Sequence, residues 1–262
     1  MSRYGYEDAF PAEFYDAVYT ERLSPDIGFW VEAAKNAGGR TLELACGTGR
    51  VLLPIARVGC EITGIDLSPH MLAKCRERLA REPEDVRGRV RLMQANMTDF
   101  STRESYALAI IPARSFQELI DPKEQETCLH TIAAHLQPRG RFVIDVFNPR
   151  FPRLFEEKYL HESTVRVDVP LPDGRTVTVA SRIAAFHRGE QYNDVEIIHY
   201  VKYPDGRQER LVHAFKMRYF YRYEMEHLLA LGGFKVAEFF GNFDRSPFSG
   251  ESPEMIFVAE KV

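Results

Sequence analysis

From residue 24 to residue 147 the chain alternates short apolar segments of strand length with stretches that carry helix-start signals, an order that few folds accommodate. The segments "RTLELA" (40–45), "CEITGID" (60–66), "RVRLMQA" (89–95), "YALAIIP" (106–112) and "RFVIDVF" (141–147) are apolar enough to be covered on both faces, which predicts five parallel strands. Parallel neighbours need crossover connections, so helices must fall between them. Ser24-Pro25, Ser68-Pro69 and Asp121-Pro122 each place a capping side chain before a proline at the first helical position, and Glu124 completes a capping box for the third. The first of these helices is expected to end at Gly38-Gly39, and the third near Pro138 and Gly140, which should break it and return the chain to the fifth strand.

The period changes over residues 162–219. Leu211, His213, Phe215, Met217 and Tyr219 alternate with Arg210, Val212, Ala214, Lys216 and Arg218, and two "PDGR" tetrapeptides, Pro172 to Arg175 and Pro204 to Arg207, suit tight hairpins. Four antiparallel strands are expected. After them "YRYEMEHLLALGG" (221–233) has the pattern of an amphipathic helix, and "FKVAEFFGNF" (234–243) and "EMIFVAEKV" (254–262) those of two closing strands that form a hairpin. The fold class is therefore α/β, a doubly wound, seven-stranded, mostly parallel sheet formed by 1–150 and 220–262. Residues 151–219 form an inserted antiparallel β subdomain.

Composition narrows the function. At 262 residues and 45% hydrophobic content the chain can bury a large core, and a net charge of −4 spread without like-charge runs disfavours nucleic acid as a partner. The amino terminus mixes acids with aromatics and no stretch approaches the length of a bilayer span, so no signal peptide, no membrane contact and a cytoplasmic location are expected. Cys46, Cys60, Cys75 and Cys128 lack metal-ligand spacing and are expected to be reduced thiols, with no metal bound.

The chemistry is carried by "LELACGTGR" (42–50), where the first strand meets its helix. Ala45, Gly47 and Gly49 let the backbone turn sharply and approach a ligand, and Glu43 puts near the strand end a carboxylate that attracts an ammonium and repels a pyrophosphate. The dinucleotide fingerprint fails at its third glycine, where Leu52 stands, and no Walker lysine follows. Asp66, ending the second strand, is placed to accept hydrogen bonds from ribose hydroxyls, and Asn96 and Met97 after the third strand offer an amide and a flexible apolar surface to adenine.

These motifs together resemble the class I S-adenosylmethionine-dependent methyltransferases, over about residues 24–147 and 221–262. The family's acid followed by small-x-Gly-x-Gly is matched by Glu43, Ala45, Gly47 and Gly49, and its second-strand acid by Asp66. The resemblance implies S-adenosylmethionine as cofactor, with Ala45 and Cys46 lining its methionine part, Asp66 at the ribose, and Leu67, Asn96 and Met97 around adenine. Ala45 replaces the commoner glycine and Asn96 the commoner aspartate. The fourth-strand end, "PARSFQEL", occupies the floor of the family's active site, which implies that Ala113 and Arg114 lie near the sulfonium and that Phe116 faces the acceptor. It lacks the Asn/Asp-Pro-Pro-aromatic signature of enzymes acting on DNA bases, and the antiparallel insert resembles small-molecule N-methyltransferases.

Methyl transfer from a sulfonium is an in-line displacement for which the protein mainly supplies orientation and exclusion of water, so no dedicated base is obligatory. The acceptor is expected among the fourth-strand end, the amino-terminal helix and the inserted sheet, with an amine or a hydroxyl as the methylated group. Tyr15, Tyr19, His213 and Tyr219 are the acceptor-side candidates. Tyr15 and Tyr19 equally fit a core-facing stripe with Phe10 and Phe14, His213 an ordinary strand face, and Arg114 an ordinary ion pair. The tyrosine-rich insert serves either as substrate wall or as homodimer surface. An NAD-dependent oxidoreductase and a cofactor-binding module without turnover are the competing readings; Glu43 and Leu52 weigh against the first, and the intact set of Glu43, Gly49 and Asp66 against the second.

Overall fold

The computed structural model describes residues 9–150 and 154–262, with the side chains of residues 19–24 outside the description. Seven strands form one sheet: β1 (Thr41–Leu44), β2 (Ile62–Asp66), β3 (Val90–Gln94), β4 (Tyr106–Ile111), β5 (Leu136–Phe147), β10 (Phe234–Phe240) and β11 (Glu254–Lys261), in the order β10-β11-β5-β4-β1-β2-β3. The first five run parallel, and β11 inserts antiparallel between β5 and β10. The chain leaves β1 for β2 and β3 on one side and returns to place β4 on the other, so β1 and β4 part at a topological switch point.

Alternation along the strands divides the core. Leu42, Leu44, Ile111, Ile144 and Phe257 pack on the face covered by α5 (Pro122–His135) and α6 (Arg222–Leu231), through Cys128, Leu129, Met225 and Leu229. Leu108, Ile110, Val143 and Ile256 pack on the opposite face beneath α1 (Phe10–Ala37), α2 (Leu52–Arg57) and α3 (Pro69–Leu79); a short α4 (Glu84–Arg87) follows. Glu43, between Leu42 and Leu44, therefore points toward the α1 face. Ser68 and Asp121 cap their helices, accepting from Met71 N and Lys123 N.

Two expectations fail. Ser24-Pro25 does not begin a helix: α1 runs unbroken through Pro25. The ring removes one backbone bond, a local cost of about 3 kcal/mol, but the next turn is pinned by Phe29 and Trp30, both in the core, so tertiary packing overrides the local signal. Pro138 and Gly140 do not separate helix from strand either, because β5 begins at Leu136. They fall in a register irregularity against β4, with Arg139 at φ 62°, and so make a bulge inside the strand.

The second sheet is antiparallel, β6 (Ser163–Pro170), β7 (Thr176–His187), β8 (Tyr192–Lys202) and β9 (Gln208–Arg218) in chain order. Its two "PDGR" turns are built alike: Asp173 and Asp205 each accept from the arginine N–H two residues on, and Gly174 and Gly206 take φ of 86° and 87°. Val177, Val179 and Val201 on its inner face pack against Phe14 and Val18, so the first half of α1 lies between the two sheets. No helix among the described residues is long and apolar enough to cross a membrane.

Gly64 in β2 tests the packing under the ligand turn, because a Cβ there would lie 2.3 Å from Leu52 Cδ1 and 2.8 Å from Cys46 Sγ. Gly64→Ala is expected to lower unfolding free energy by about 1–3 kcal/mol, measured by urea denaturation.

Candidate functional site

The turn after β1 is left-handed three times: Ala45 at φ 55°, Gly47 at 55° and Gly49 at 82°. Glycine takes this conformation without cost, whereas alanine is held there at about 1–2 kcal/mol, so Ala45 stores strain at the turn. Gly49 is also packed, since a Cβ would meet Cys75 Sγ at 2.7 Å, but a Cβ on Gly47 would meet nothing within 4 Å. The turn is firm on its inner side and open beside Gly47.

Asp66 binds this turn to the next one. Its Oδ2 accepts from Gly47 N at 2.7 Å and its Oδ1 from Ser68 N at 2.8 Å. Burial pushes its pKa up while the two N–H donors oppose the rise. Each carboxylate oxygen retains a second lone-pair direction, as a hydroxyl-binding role requires.

Between these turns lies a cavity of about 700 Å³, part of it open to solvent, lined by Ala45, Gly47, Asp66, Leu67, Asn96 and Met97 together with Tyr15 from α1. Leu67 is exposed there despite its apolar side chain, 40% by area. Asn96 Oδ1 accepts from Thr98 N, so the group it has left to offer is its NH2. Seven of the sequence-predicted residues thus meet at one cavity. Ile65, Met71 and Ala95 add apolar surface, and Ser115, Glu118 and Leu119, from the 3-10 turn Ser115–Glu118 and the residue after it, complete the wall. These last three belong to the "PARSFQEL" segment expected at the floor of the site, although the residues singled out within it were Ala113, Arg114 and Phe116.

The other candidates lie elsewhere. Cys46 is buried, its sulfur turned toward Gly64, and burial pushes its thiol well up. Glu43 is 2% exposed, its Oε2 has no hydrogen-bond partner among the described residues, and burial, with Asp66 and Asp26 nearby, holds its carboxyl well above the usual range. Ala113 and Arg114 are successive left-handed residues at φ 59° and 66°, and Arg114 forms a two-pronged pair with Glu254 of β11. Phe116 is fully buried against Phe220, and Tyr219 packs edge-on to Phe155 and Tyr221. His213 pairs with Ile197 across β8 and β9, its ring 5.0 Å from Phe215. Tyr19 lies outside the described side chains.

Two further ties fix α1 over the cavity. Thr48 Oγ1 donates to Asp16 at 2.6 Å, and Arg78 reaches both Asp16 and the Thr48 carbonyl. Arg50 forms a bidentate pair with Asp26 at 2.7 and 2.8 Å, both residues at most 5% exposed, and Trp30 Nε1 donates to the same carboxylate. Arg50 also hydrogen-bonds the Tyr15 phenol, whose pKa burial raises. The first residue after Gly49 was thus a site element that the glycine pattern concealed.

The junction of α1 with the second sheet carries a titratable group. His199, 2% exposed, stacks on Phe14 and meets Phe10 edge-on, and burial with His213 nearby pulls its pKa down to about 4. An imidazole of lowered pKa favours the folded state above its unfolded value of about 6.5, and that contribution is lost as pH falls from there to 4. Wild type is expected to lose up to about 3 kcal/mol more than His199→Phe between those pH values, measured by denaturant titration at each pH.

Residues 41–140 match the profile of the methyltransferase domain family. Over the full chain the protein is 26% identical to the cypemycin N-terminal methyltransferase of a Streptomyces species, covering 97% of both. It is 28% identical to the dTDP-3-amino-3,6-dideoxy-alpha-D-glucopyranose N,N-dimethyltransferase of Streptomyces fradiae, over 86% of this chain and 84% of that one. Among solved structures, DesVI of Streptomyces venezuelae superposes with a TM-score of 0.73 at 23% identity, covering 96% of this chain and 98% of that one.

Proposed function

We propose that this chain, which belongs to the class I S-adenosylmethionine-dependent methyltransferases, methylates the amine nitrogen of a small molecule. The observation that carries the choice of nitrogen is likeness over most of the chain to two enzymes, one named an N-terminal methyltransferase and the other an N,N-dimethyltransferase of a dTDP-amino sugar. The cavity's chemistry agrees. Its described wall includes the carboxylates Asp66 and Glu118, and no histidine or lysine to take a proton from a hydroxyl.

The residues present fit the cofactor. A buried carboxyl at Glu43 whose Oε2 is unpartnered among the described residues suits an ammonium, the open side of Gly47 leaves room beside the turn, and Asp66 is oriented for ribose hydroxyls. Leu67, Asn96 and Met97 line the cavity where a purine would be held by apolar contact and one amide. S-adenosylmethionine, when bound, supplies a methyl group on a sulfonium.

The chain's own residues then act by placement. Tyr15 covers part of the cavity from α1 and narrows water's access to it, and the rigid turn holds the donor still for in-line attack. The amine gives up its proton to solvent before it attacks; positive charge then passes from sulfur to nitrogen, so the net charge in the cavity does not change during transfer.

Incubation with S-adenosylmethionine and matched amino and hydroxyl acceptors, among them amino-sugar nucleotides and short peptides, is expected to give methylated amines by mass spectrometry. Methylation of hydroxyls alone would sink the choice of nitrogen. Asp66→Asn puts an amide NH2 where one of two N–H donors points, and is expected to weaken S-adenosylhomocysteine binding by about 1–3 kcal/mol in calorimetric titration. An unchanged dissociation constant would remove Asp66 from the site.

A further inference from the structure

We propose that Asp26 is a positioning residue that sets the cofactor site's preference for a ligand bearing an ammonium: by holding Arg50 in a bidentate pair, it leaves Glu43 without a cation of its own. The inference rests on the methyltransferase reading of the cavity and adds a residue that no motif marks.

Three observations carry it. Glu43 lies on the α1 side of β1, 2% exposed, with Oε2 unpartnered among the described residues. A buried carboxyl in that condition is costly, and a fold alone has no need of it. The groups that bear on it are Arg50, Asp26, Asp66 and the thiols of Cys46 and Cys75, which burial keeps neutral. Arg50 is the cation among them, and its planar fork is turned onto Asp26 through both terminal nitrogens, at 2.7 and 2.8 Å, while Trp30 Nε1 fixes the carboxylate from behind at 2.9 Å.

A buried ion pair adds little net stability over apolar residues of the same volume, so this pair's value lies in where it puts the charge. With Arg50 held by Asp26, no other cation among the described residues bears on the Glu43 carboxyl, which leaves it to a cation arriving through the turn. The cofactor's amino-acid end carries such a cation. Were Asp26 neutral, Arg50 could turn to Glu43 and present positive charge to the incoming ammonium.

The test compares two probes, S-adenosylhomocysteine and its deaminated analogue, which keeps the adenosine, thioether and carboxylate. Asp26→Asn retains an oxygen for Trp30 and nearly the same volume, so α1 should keep its seat. By calorimetric titration wild type is expected to favour S-adenosylhomocysteine, and Asp26→Asn to bind it about tenfold or more weakly while losing less than about threefold for the deaminated analogue. Glu43→Gln should abolish the same preference, and the double variant should add little to either loss. Equal losses for both probes would reveal a merely structural pair, and an undiminished preference in Asp26→Asn would also overturn the proposal. Failure of wild type to bind either probe would instead bring down the reading of the cavity itself, and this inference with it.

Discussion

The carboxylate of Asp66 holds the Gly47 N–H with one oxygen and the Ser68 N–H with the other, and so binds the two turns that bound the cavity to one another. Cys46 N also donates to the Ile65 carbonyl, and Arg78 of α3 to the Thr48 carbonyl, so the Asp66 link is the central one of several between the two turns. With it, the left-handed path through Ala45, Gly47 and Gly49 is pinned at its middle residue, and α3 starts from a fixed point. The charge that can bind a hydroxyl is also the charge that shapes the wall around it, so recognition and local architecture share one group.

Much of this was legible in the sequence because the parallel sheet imposes strong local rules. Strands buried on both faces had to be continuous apolar runs, and the turn at 45–49 had to be small. What was not legible depends on residues far apart in the chain. Pro25 signals a helix start locally, and only the seating of Phe29 and Trp30 in the core shows why the helix passes through it. Pro138 and Gly140 signal a break, yet β4 and β11 on either side recruit Leu136 onward into one strand with a bulge. Arg114 stands beside the cavity-lining 3-10 turn, but Glu254, 140 residues later, takes it. Arg50 escaped notice because its partner Asp26 precedes the motif and carries no pattern of its own.

The position of α1 follows from the same distant contacts. Its second half is part of the core beneath the main sheet, while its first half lies against the inner face of the antiparallel sheet through Phe10, Phe14 and Val18. Tyr15, on the side away from that sheet, reaches the cavity. The helix is therefore a wall shared by cofactor and insert, and its two ends answer to different surroundings.

The hairpin at Pro172–Arg175 gives that arrangement a further consequence. Arg175 at its base pairs with Asp173 beside it and with Glu13 on α1, and its guanidinium lies over the rings of both Phe14 and Tyr203. One side chain thus gathers a surface turn, a neighbouring hairpin and the roof of the cavity. Drift in the length or sequence of this exposed loop can shift how α1 sits over the cavity, while the turns held by Asp66 stay untouched. The cavity's shape can thus diverge from the periphery of such a molecule, far from any residue that lines it.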